Sequence, residues 1–480
     1  MRKNLVFAFV AALVLFALAL IAFHSYVSLE NEVPSCPGCN VILVEFDGLN
    51  KEHVGFFGYS RETTPNIDAF ARESFVFSEA VSPTPFTYES DISLFTGKKF
   101  SEHLKRRFFL GDLTLQSPIA PDEFEFLPRS LLQENYATAA FYGGLAYEED
   151  LIKSIGFSTA KAGLDFGKIV PFAEDWLSNK GLSPGFLFLS NYDLHTPYTG
   201  NGSDYFFGEF GDTDISGVDL DWGKTGITKI EGKWLLFSLE KTGTGNGTGN
   251  GTGTSQTELS DAQIQKIIAS YDGKLRRADF LFGRLIETLK KTGLYESSVI
   301  IFTSQHGEAL GEHSVFGHGS SHPEVLSVPL IIRVPGHSGR VVSGPVSTKD
   351  LYYTIQEIVG AGRNLTESRN IFRQEFRRHA VGEVPLKGAY NETVYSYEIN
   401  FFIDSFQYVF FSPDGKTLLS LQAVYPLPPR GLLEPLPEKC DGKVNYWALK
   451  ACEEKMKLLG KNTIDALLRE GYEVRKMEGN

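Results

Sequence analysis

Apolar residues along the chain fall into two kinds of segment, short continuous runs and longer stretches with helical spacing. The continuous runs predict buried strands of a mainly parallel sheet, because strands covered on both faces need no polar alternation. Five runs are of this kind: 40–46, 137–142, 186–190, 299–303 and 328–333. Their short length and β-branched content favour strands over helices.

Helix signals lie between these runs. Thr64 followed by Pro65 predicts a helix through about Glu73, since proline is tolerated at the first helical position. Ser260 and Gln263 form a capping box that opens a long stretch of helical apolar spacing. The alternation of strands and helices predicts an α/β fold with a mainly parallel sheet flanked by helices.

The pattern changes near the carboxyl end. Residues 394–403 and 407–411 predict consecutive antiparallel strands, and 446–459 predicts a final helix. We therefore expect a catalytic α/β domain over 40–385 and a smaller α+β subdomain, with an antiparallel sheet, over 386–480.

The amino end predicts a membrane anchor. Residues 5–23 are uninterrupted and apolar, and at about 1.5 Å per residue they reach about 28 Å, close to the thickness of a bilayer core. The basic residues in 1–4 favour a cytoplasmic start, which makes 24–39 an extracytoplasmic stalk. The expected location is thus the cell membrane, single-pass, with the catalytic domain outside. A cleaved signal peptide, suggested by Ala17-Leu18-Ala19, stays open as an alternative.

Composition narrows the function classes. The 480 residues are 42% hydrophobic and 22% charged, as in folded globular proteins. The formal net charge of -13 argues against nucleic acid as a partner, because phosphate backbones are bound by clustered Lys and Arg. The Gly/Thr-rich segment 242–254 lacks apolar residues and predicts a flexible surface loop.

Sequons and cysteines suit an exported domain. The sequence has five Asn-x-Ser/Thr sites, at Asn201, Asn246, Asn250, Asn364 and Asn391, which predict a glycoprotein. Disulfides are expected among Cys36, Cys39, Cys440 and Cys452. Local bridges and a link between the two chain ends are both compatible with the spacing.

Candidate chemistry gathers where predicted strands end. Asp47, His195 and His306 each follow a strand, Thr87 begins a predicted helix, and His318 lies in a loop rich in histidine. Because the carboxyl ends of parallel strands share one edge of a sheet, we expect these side chains to meet. A carboxylate, a hydroxyl and an imidazole together can bind a divalent cation, which would lower the pKa of the hydroxyl and make it a nucleophile.

The region from about Asn40 to Gly360 resembles the sulfatase family of the alkaline phosphatase superfamily. The matching stretches, in order, are NVILVEFDGLNKEHVGFFGYSRETTPNIDAFA, SDISLFTGK, YDLHTPY, DGKLRRADFLFGRLIETLKKTGLYESSVIIFTSQHGEALGEHSVFGHG, VPLIIRVPG and VSTKDLYYTIQEIVG. The resemblance implies a metal-dependent hydrolase or transferase with one divalent ion (Mn, Zn, Ca or Mg), and it leaves a second ion open. It also implies site roles. The metal ligands would be Asp47, Thr87, Gln305 and His306, the catalytic residues Thr87, His195 and His318, and the substrate-binding residues His195, His313, His318 and Asp91.

Three departures from the family pattern shape the expected reaction. Thr87 stands where sulfatases have the cysteine or serine that becomes formylglycine, and threonine cannot yield that aldehyde; it is similar to the threonine nucleophile of phosphoethanolamine and phosphoglycerol transferases. Asp91 replaces an arginine that would help hold an anionic group. Gly48 and Gln305 replace two aspartates that would ligate metal, and an amide oxygen binds a hard cation more weakly than a carboxylate.

These departures favour phosphate esters over sulfate esters as substrates, with lipid head groups and surface glycans as candidates. Two alternatives stay open. One is a catalytically weak or inactive ectodomain that binds glycans or lipids, favoured by the loss of charge at Gln305. The other is a sulfuric ester hydrolase.

Overall fold

The structure is a computed structural model that describes residues 33–103, 124–144, 149–216, 218, 225–242, 251–362, 369–373, 379–386, 396–403, 406–412, 417–418, 420–426 and 473–474. Its helices are α1 (Pro65–Arg72), α2 (Thr87–Thr96), α3 (Phe100–His103), α4 (Leu127–Gln133), α5 (Glu149–Ser154), α6 (Phe166–Asn179), α7 (Asp261–Thr292), α8 (Pro323–Leu326) and α9 (Leu351–Ile358).

The strands of the amino-terminal two thirds are β1 (Asn40–Phe46), β2 (Phe75–Val81), β3 (Ala137–Tyr142), β4 (Thr159–Lys161), β5 (Gly185–Asn191), β6 (Thr225–Ile230), β7 (Lys233–Thr242), β8 (Gly251–Leu259), β9 (Ser298–Thr303), β10 (Ala309–Leu310), β11 (Phe316–Gly317), β12 (Ser327–Arg333) and β13 (Val341–Ser347). The remaining strands are β14 (Ala380–Leu386), β15 (Ser396–Ile403), β16 (Phe406–Ser412), β17 (Thr417–Leu418), β18 (Ser420–Pro426) and β19 (Glu473–Val474).

The largest sheet has eight strands in the order β13-β2-β12-β9-β1-β5-β3-β4. Its central strand β1 pairs in parallel with both β5 and β9, and only β12 runs antiparallel to its neighbours. The expected α/β fold with a mainly parallel sheet is therefore confirmed. All five predicted strands are members of this sheet.

Helices cover both faces of this sheet. Alternate residues of β1 point to opposite faces, so Ile42, Val44 and Phe46 pack in one apolar cluster with α6 and α7, while Val41 and Leu43 pack in another with α2 and α9. The capping box of Ser260 and Gln263 is present at the start of α7. Because β1 is covered on both faces, its polar end is the part of the strand that can meet solvent or substrate.

Among the described residues, two antiparallel sheets of more than two strands accompany the large one. The order β14-β15-β16-β18 confirms the antiparallel sheet expected near the carboxyl end. This sheet begins at Ala380, so its first strand lies across the predicted domain boundary at 385/386. The other sheet is β6-β7-β8. Its strand β8 begins at Gly251 and pairs with β7, so part of the segment 242–254, predicted to be a loop, is a strand. Main-chain hydrogen bonds extend the hairpin there, and they need no apolar side chains.

The first described residues of the chain lie beside the end of α9. Cys36 and Cys39 form a disulfide, and Cys36 N donates a hydrogen bond to the carbonyl oxygen of Ile358 at 2.7 Å. Across the described ranges there is no helix long and apolar enough to span a membrane. The predicted anchor at 5–23, the predicted helix at 446–459, and Cys440 and Cys452 lie outside those ranges.

Candidate active site

The carboxyl end of β1 and the amino end of α2 bring Asp47 and Thr87 together. Asp47 is fully buried just after β1, and Thr87 is the first residue of α2. The Thr87 hydroxyl donates to the Asp47 carboxylate, with Oγ1 3.1 Å from Oδ1 and 3.0 Å from Oδ2. The helix dipole places partial positive charge at the same hydroxyl, which favours its ionised form.

His306 completes a compact cluster with these two residues. Its Nε2 lies 3.2 Å from Thr87 Oγ1 and 3.1 Å from Asp47 Oδ1. Its Nδ1 lies 2.9 Å from the carbonyl oxygen of Gly307, to which it donates. Burial, reinforced by the nearby His318, lowers the pKa of His306 to about 4, so the ring is neutral at physiological pH.

This arrangement fits a bound cation. In the neutral His306 ring with Nδ1 protonated, the Nε2 lone pair faces Asp47 Oδ1 at 3.1 Å. The single proton of the Thr87 hydroxyl satisfies only one of these acceptors. A divalent ion bound by these three atoms would replace the repulsion between their lone pairs with metal–ligand contacts.

Gln305 adds an oxygen of the right kind. Its Nε2 donates to Ser190 Oγ at 3.0 Å. Its Oε1 is buried and accepts no hydrogen bond from any residue that the structure describes, which is costly for a buried carbonyl oxygen unless a ligand meets it. Asp47, Thr87 and His306 thus bring three possible ligand atoms together, and Gln305, the fourth predicted ligand, has a buried carbonyl oxygen without a hydrogen bond among the described residues.

The sequence reasoning missed Glu308, which is completely buried beside this cluster. Its Oε2 lies 2.9 Å from His318 Nδ1, and its Oε1 accepts a hydrogen bond from the Tyr198 hydroxyl at 2.5 Å. One ligand atom each from Glu308, His306 and His318 lie within 4.8 Å of one another, a second grouping able to hold a cation. The signal in the sequence was the acidic residue two positions after His306.

The lack of a side chain at Gly48 leaves space for the Glu308 carboxylate. Gly48 has φ +70°, and a Cβ there would lie 3.4 Å from Glu308 Oε2. The carboxylate of Glu308 therefore lies beside the position where the family pattern has an aspartate. A side chain at residue 48 would need a strained backbone, and its Cβ would be in contact with Glu308.

Glu308 and His318 form an acid–imidazole pair. Burial alone would lower the pKa of His318, but contact with Glu308 outweighs it and raises that pKa above its ordinary value. Burial acts to raise the pKa of Glu308, yet His318, His195 and the Tyr198 hydroxyl together lower it. Glu308 consequently favours the protonated form of His318, the form that can donate a proton.

The remaining histidine of the site is His195, at the end of the loop that follows β5. Its ring centroid lies 5.0 Å from that of His318, which in turn lies 4.3 Å from His306. Four of the predicted residues, Asp47, Thr87, His306 and His318, therefore meet at one edge of the sheet, and His195 borders them.

Two predicted substrate-binding residues lie elsewhere. Asp91 is 1% exposed and its carboxyl group meets that of Glu45 beneath the cluster. His313 stacks on His322 with ring centroids 4.2 Å apart, and its Nε2 lies 3.3 Å from Glu324 Oε2. Their proposed role in substrate binding gains no support from these positions.

Fold and site together define an α/β protein with a hydroxyl nucleophile candidate, a candidate cation site and an acid–imidazole pair on one sheet edge. The sequence profile of the Sulfatase family matches residues 39–361. The chain belongs to the sulfatase family. The family expected from the sequence is thereby confirmed.

Relatives agree with the family assignment. The chain is 23% identical over 331 residues to an ulvan-active sulfatase of Formosa agariphila, covering 67% of this chain and 61% of that protein. It is 34% identical over 109 residues to the multifunctional alkaline phosphatase superfamily protein PehA of Trinickia caryophylli, covering 22% of this chain and 21% of that one. The chain thus spans less than two thirds of either relative.

Solved structures share the fold. The phosphonate monoester hydrolase of Agrobacterium radiobacter superimposes with a TM-score of 0.61 at 16% identity, over 90% of this chain and 96% of that one. At this identity the likeness concerns the fold alone.

Proposed function

We propose that this protein is a metal-dependent hydrolase or transferase that acts on phosphate esters or diesters through Thr87 as nucleophile. The observation that carries the proposal is the contact of the Thr87 hydroxyl with both Asp47 and His306 at 3.0 to 3.2 Å. A threonine hydroxyl cannot be converted to formylglycine, so the chemistry of sulfatases with that aldehyde is closed to residue 87. Direct attack by an alkoxide on phosphorus is open to it.

The residues divide the work of one transfer. When bound by Asp47, Thr87, His306 and Gln305, a divalent ion would supply charge that stabilises the ionised hydroxyl. Asp47 orients the Thr87 oxygen, which loses its proton to water and forms a bond to phosphorus as the ester oxygen leaves. His318, whose protonated form Glu308 favours, donates a proton to that ester oxygen. Water or a second alcohol then takes the phosphoryl group from Thr87 and restores the hydroxyl.

Hydrolysis assays test this proposal directly. The purified full-length protein would be offered chromogenic phosphate monoesters, phosphodiesters and sulfate esters with manganese, zinc, calcium or magnesium in turn. Metal-dependent turnover of a phosphate ester that Thr87→Ala abolishes is the expected result. Thr96→Ala, at the other end of the same helix, is the matched control, and we expect it to keep its activity.

Sulfate ester hydrolysis is the second candidate, supported by the relative described as an ulvan-active sulfatase. In the same assay, turnover of sulfate esters in preference to phosphate esters would establish it. The third candidate, a glycan- or lipid-binding protein, is favoured by the neutral Gln305. No turnover with any metal, together with no bound metal by elemental analysis, would select it.

We also propose that the protein is a single-pass membrane protein with its site outside the cytoplasm, where it meets lipid head groups or surface glycans. The apolar run at 5–23 and the Cys36–Cys39 disulfide support this location. Protease treatment of intact cells tests it, since an outside domain is digested and a cytoplasmic one is protected.

A further inference from the structure

Tyr192 contacts a histidine of the site and has no assigned role. It follows β5 directly, and its ring is stacked on that of His195, with centroids 4.4 Å apart and planes 15° apart. It is half-buried. Such close and nearly parallel stacking fixes the plane of the imidazole more firmly than an edge contact does.

Two consecutive glycines pack against Tyr192. A Cβ at Gly143 would lie 2.6 Å from Tyr192 N and 2.7 Å from its Cβ, and a Cβ at Gly144 would lie 2.8 Å from Cγ of its ring. Gly144 also has φ +71°, which disfavours any side chain. The backbone after β3 therefore approaches Tyr192 as closely as it can, and a bulkier residue would displace the ring.

The sheet itself sets this approach. β3 and β5 are parallel neighbours, with Tyr142 opposite Ser190, and Gly143 N donates to the carbonyl oxygen of Ser190 at 2.7 Å. The position of Tyr192 thus follows from strand register, and movement of its ring requires movement of the sheet edge.

His195 is restrained on its other sides as well. Its Nδ1 lies 2.9 Å from the carbonyl oxygen of Thr196, to which it donates. Its ring meets His318 at 64°, with centroids 5.0 Å apart. With Nδ1 engaged, Nε2 is the nitrogen through which His195 can exchange a proton or a hydrogen bond with a substrate.

We propose that Tyr192 is a positioning residue for His195. Held against Gly143 and Gly144, its ring keeps the imidazole in the plane that aims Nε2 at the transferred group. The proposal rests on the function proposed above, and it assigns the effect to the aromatic ring and not to the phenol hydroxyl.

Kinetics of matched variants test the role. Tyr192→Phe keeps the ring and should retain kcat within about 2-fold. Tyr192→Leu should lower kcat about 10- to 100-fold with little change in KM, because misplacement of a catalytic group acts on the reacting state. Tyr205→Leu, which removes an exposed tyrosine in edge-to-face contact with another aromatic ring, is the control expected to change neither constant.

A double-mutant cycle separates positioning from a general structural effect. In a His195→Ala background, Tyr192→Leu should cost no further activity, because its effect acts through the missing imidazole. An equal loss in both backgrounds would overturn the inference. Loss of activity in Tyr192→Phe as large as in Tyr192→Leu would also overturn it, since the hydroxyl would then be the active group.

Nuclear magnetic resonance tests the stacking without any substrate. The Hε1 proton of His195 should show a ring-current shift that Tyr192→Phe keeps and that both Tyr192→Leu and Gly144→Ala remove. Absence of that shift in the wild type would overturn the inference about Tyr192 and leave the proposed function unaffected. Absence of all turnover in the wild type overturns the proposed function, and the shift then still reports whether the rings are stacked.

Discussion

Two acidic groups on one face of β1 have opposite surroundings. Asp47 meets Thr87, the first residue of α2, while Glu45 meets Asp91 one helical turn further along. The repetition is geometric, because two residues of strand and four residues of helix both advance about 6 to 7 Å. We call Asp47, Thr87 and His306 the upper cluster, and Glu45 with Asp91 the lower pair.

The two differ in what can balance a negative charge. In the upper cluster a hydroxyl and a neutral imidazole accompany the carboxylate, and Thr87 is only half-buried. In the lower pair two carboxyl groups meet at 1% exposure each. Burial, followed by the charge and hydrogen bond of Asp91, raises the pKa of Glu45 well above its ordinary value. The upper cluster is suited to a cation, and the lower pair is stabilised by a proton.

Asp47→Asn against Glu45→Gln is the strongest test of this difference. We expect Asp47→Asn to lower kcat/KM by about 10³-fold or more, since it removes the charge that orients the nucleophile. Glu45→Gln, its matched neighbour on the same strand face, should stay within about 3-fold of the wild type. Comparable losses in the two variants would show that the lower pair also serves the reaction.

Glu308→Gln should have the next largest effect, a fall in kcat of about 10²-fold. Without the carboxylate the pKa of His318 falls, so less of the ring is protonated and activity should decline at a lower pH on the alkaline side. Measurement of kcat against pH checks both points. Glu324→Gln, which removes the carboxylate that faces His313, serves as the control. A similar fall in kcat in that variant would show that His313 also contributes to the reaction.

Gln305→Asp should strengthen metal binding about 10-fold, because it adds a charged oxygen where the amide oxygen lies buried without a partner among the described residues. Isothermal titration of the metal-free protein measures the change. Unchanged affinity would place the ion away from Gln305, at the group of His306, Glu308 and His318.

The smallest expected effect concerns stability. Since the folded pKa of Glu45 is raised, the stability that its proton provides is complete below the unfolded pKa and is lost as pH rises through the folded pKa. Glu45→Gln carries no such proton, so it should be more stable than the wild type at alkaline pH, by about 1 to 3 kcal/mol. Urea denaturation with a chelator present measures this, and identical pH profiles for the two proteins would contradict it.

The sequence allowed the strands and the meeting of Asp47, Thr87 and His306 to be predicted, because long apolar runs reveal parallel strands and parallel strands align their ends. The same argument placed His195 and His318 at this edge, and the resemblance to the family added their expected roles. Glu308, Tyr192 and the partner of Asp91 were not predicted. Glu308 had a local signal in its spacing from His306, whereas the contacts of Tyr192 and Asp91 depend on strand register and on glycines that admit a neighbouring side chain.

The boundaries were less predictable for a related reason. Residues 251–254 have no apolar pattern, yet they pair with β7 through main-chain hydrogen bonds. The start of β14 was missed because its pairing partner lies further along the chain, so the segment alone does not show which sheet it joins.

The position of the Cys36–Cys39 turn relative to the site affects which substrates a tethered domain could reach. The Cys36–Cys39 turn is hydrogen-bonded to the end of α9, at the edge of the sheet where β1 begins. The site lies at the opposite edge, about 23 Å away along a seven-residue strand. A domain tethered through residues before 33 would therefore point its catalytic edge away from the tether. A glycan that rises from a surface would reach that edge directly, whereas a lipid head group in the same leaflet would reach it only if the domain tipped over.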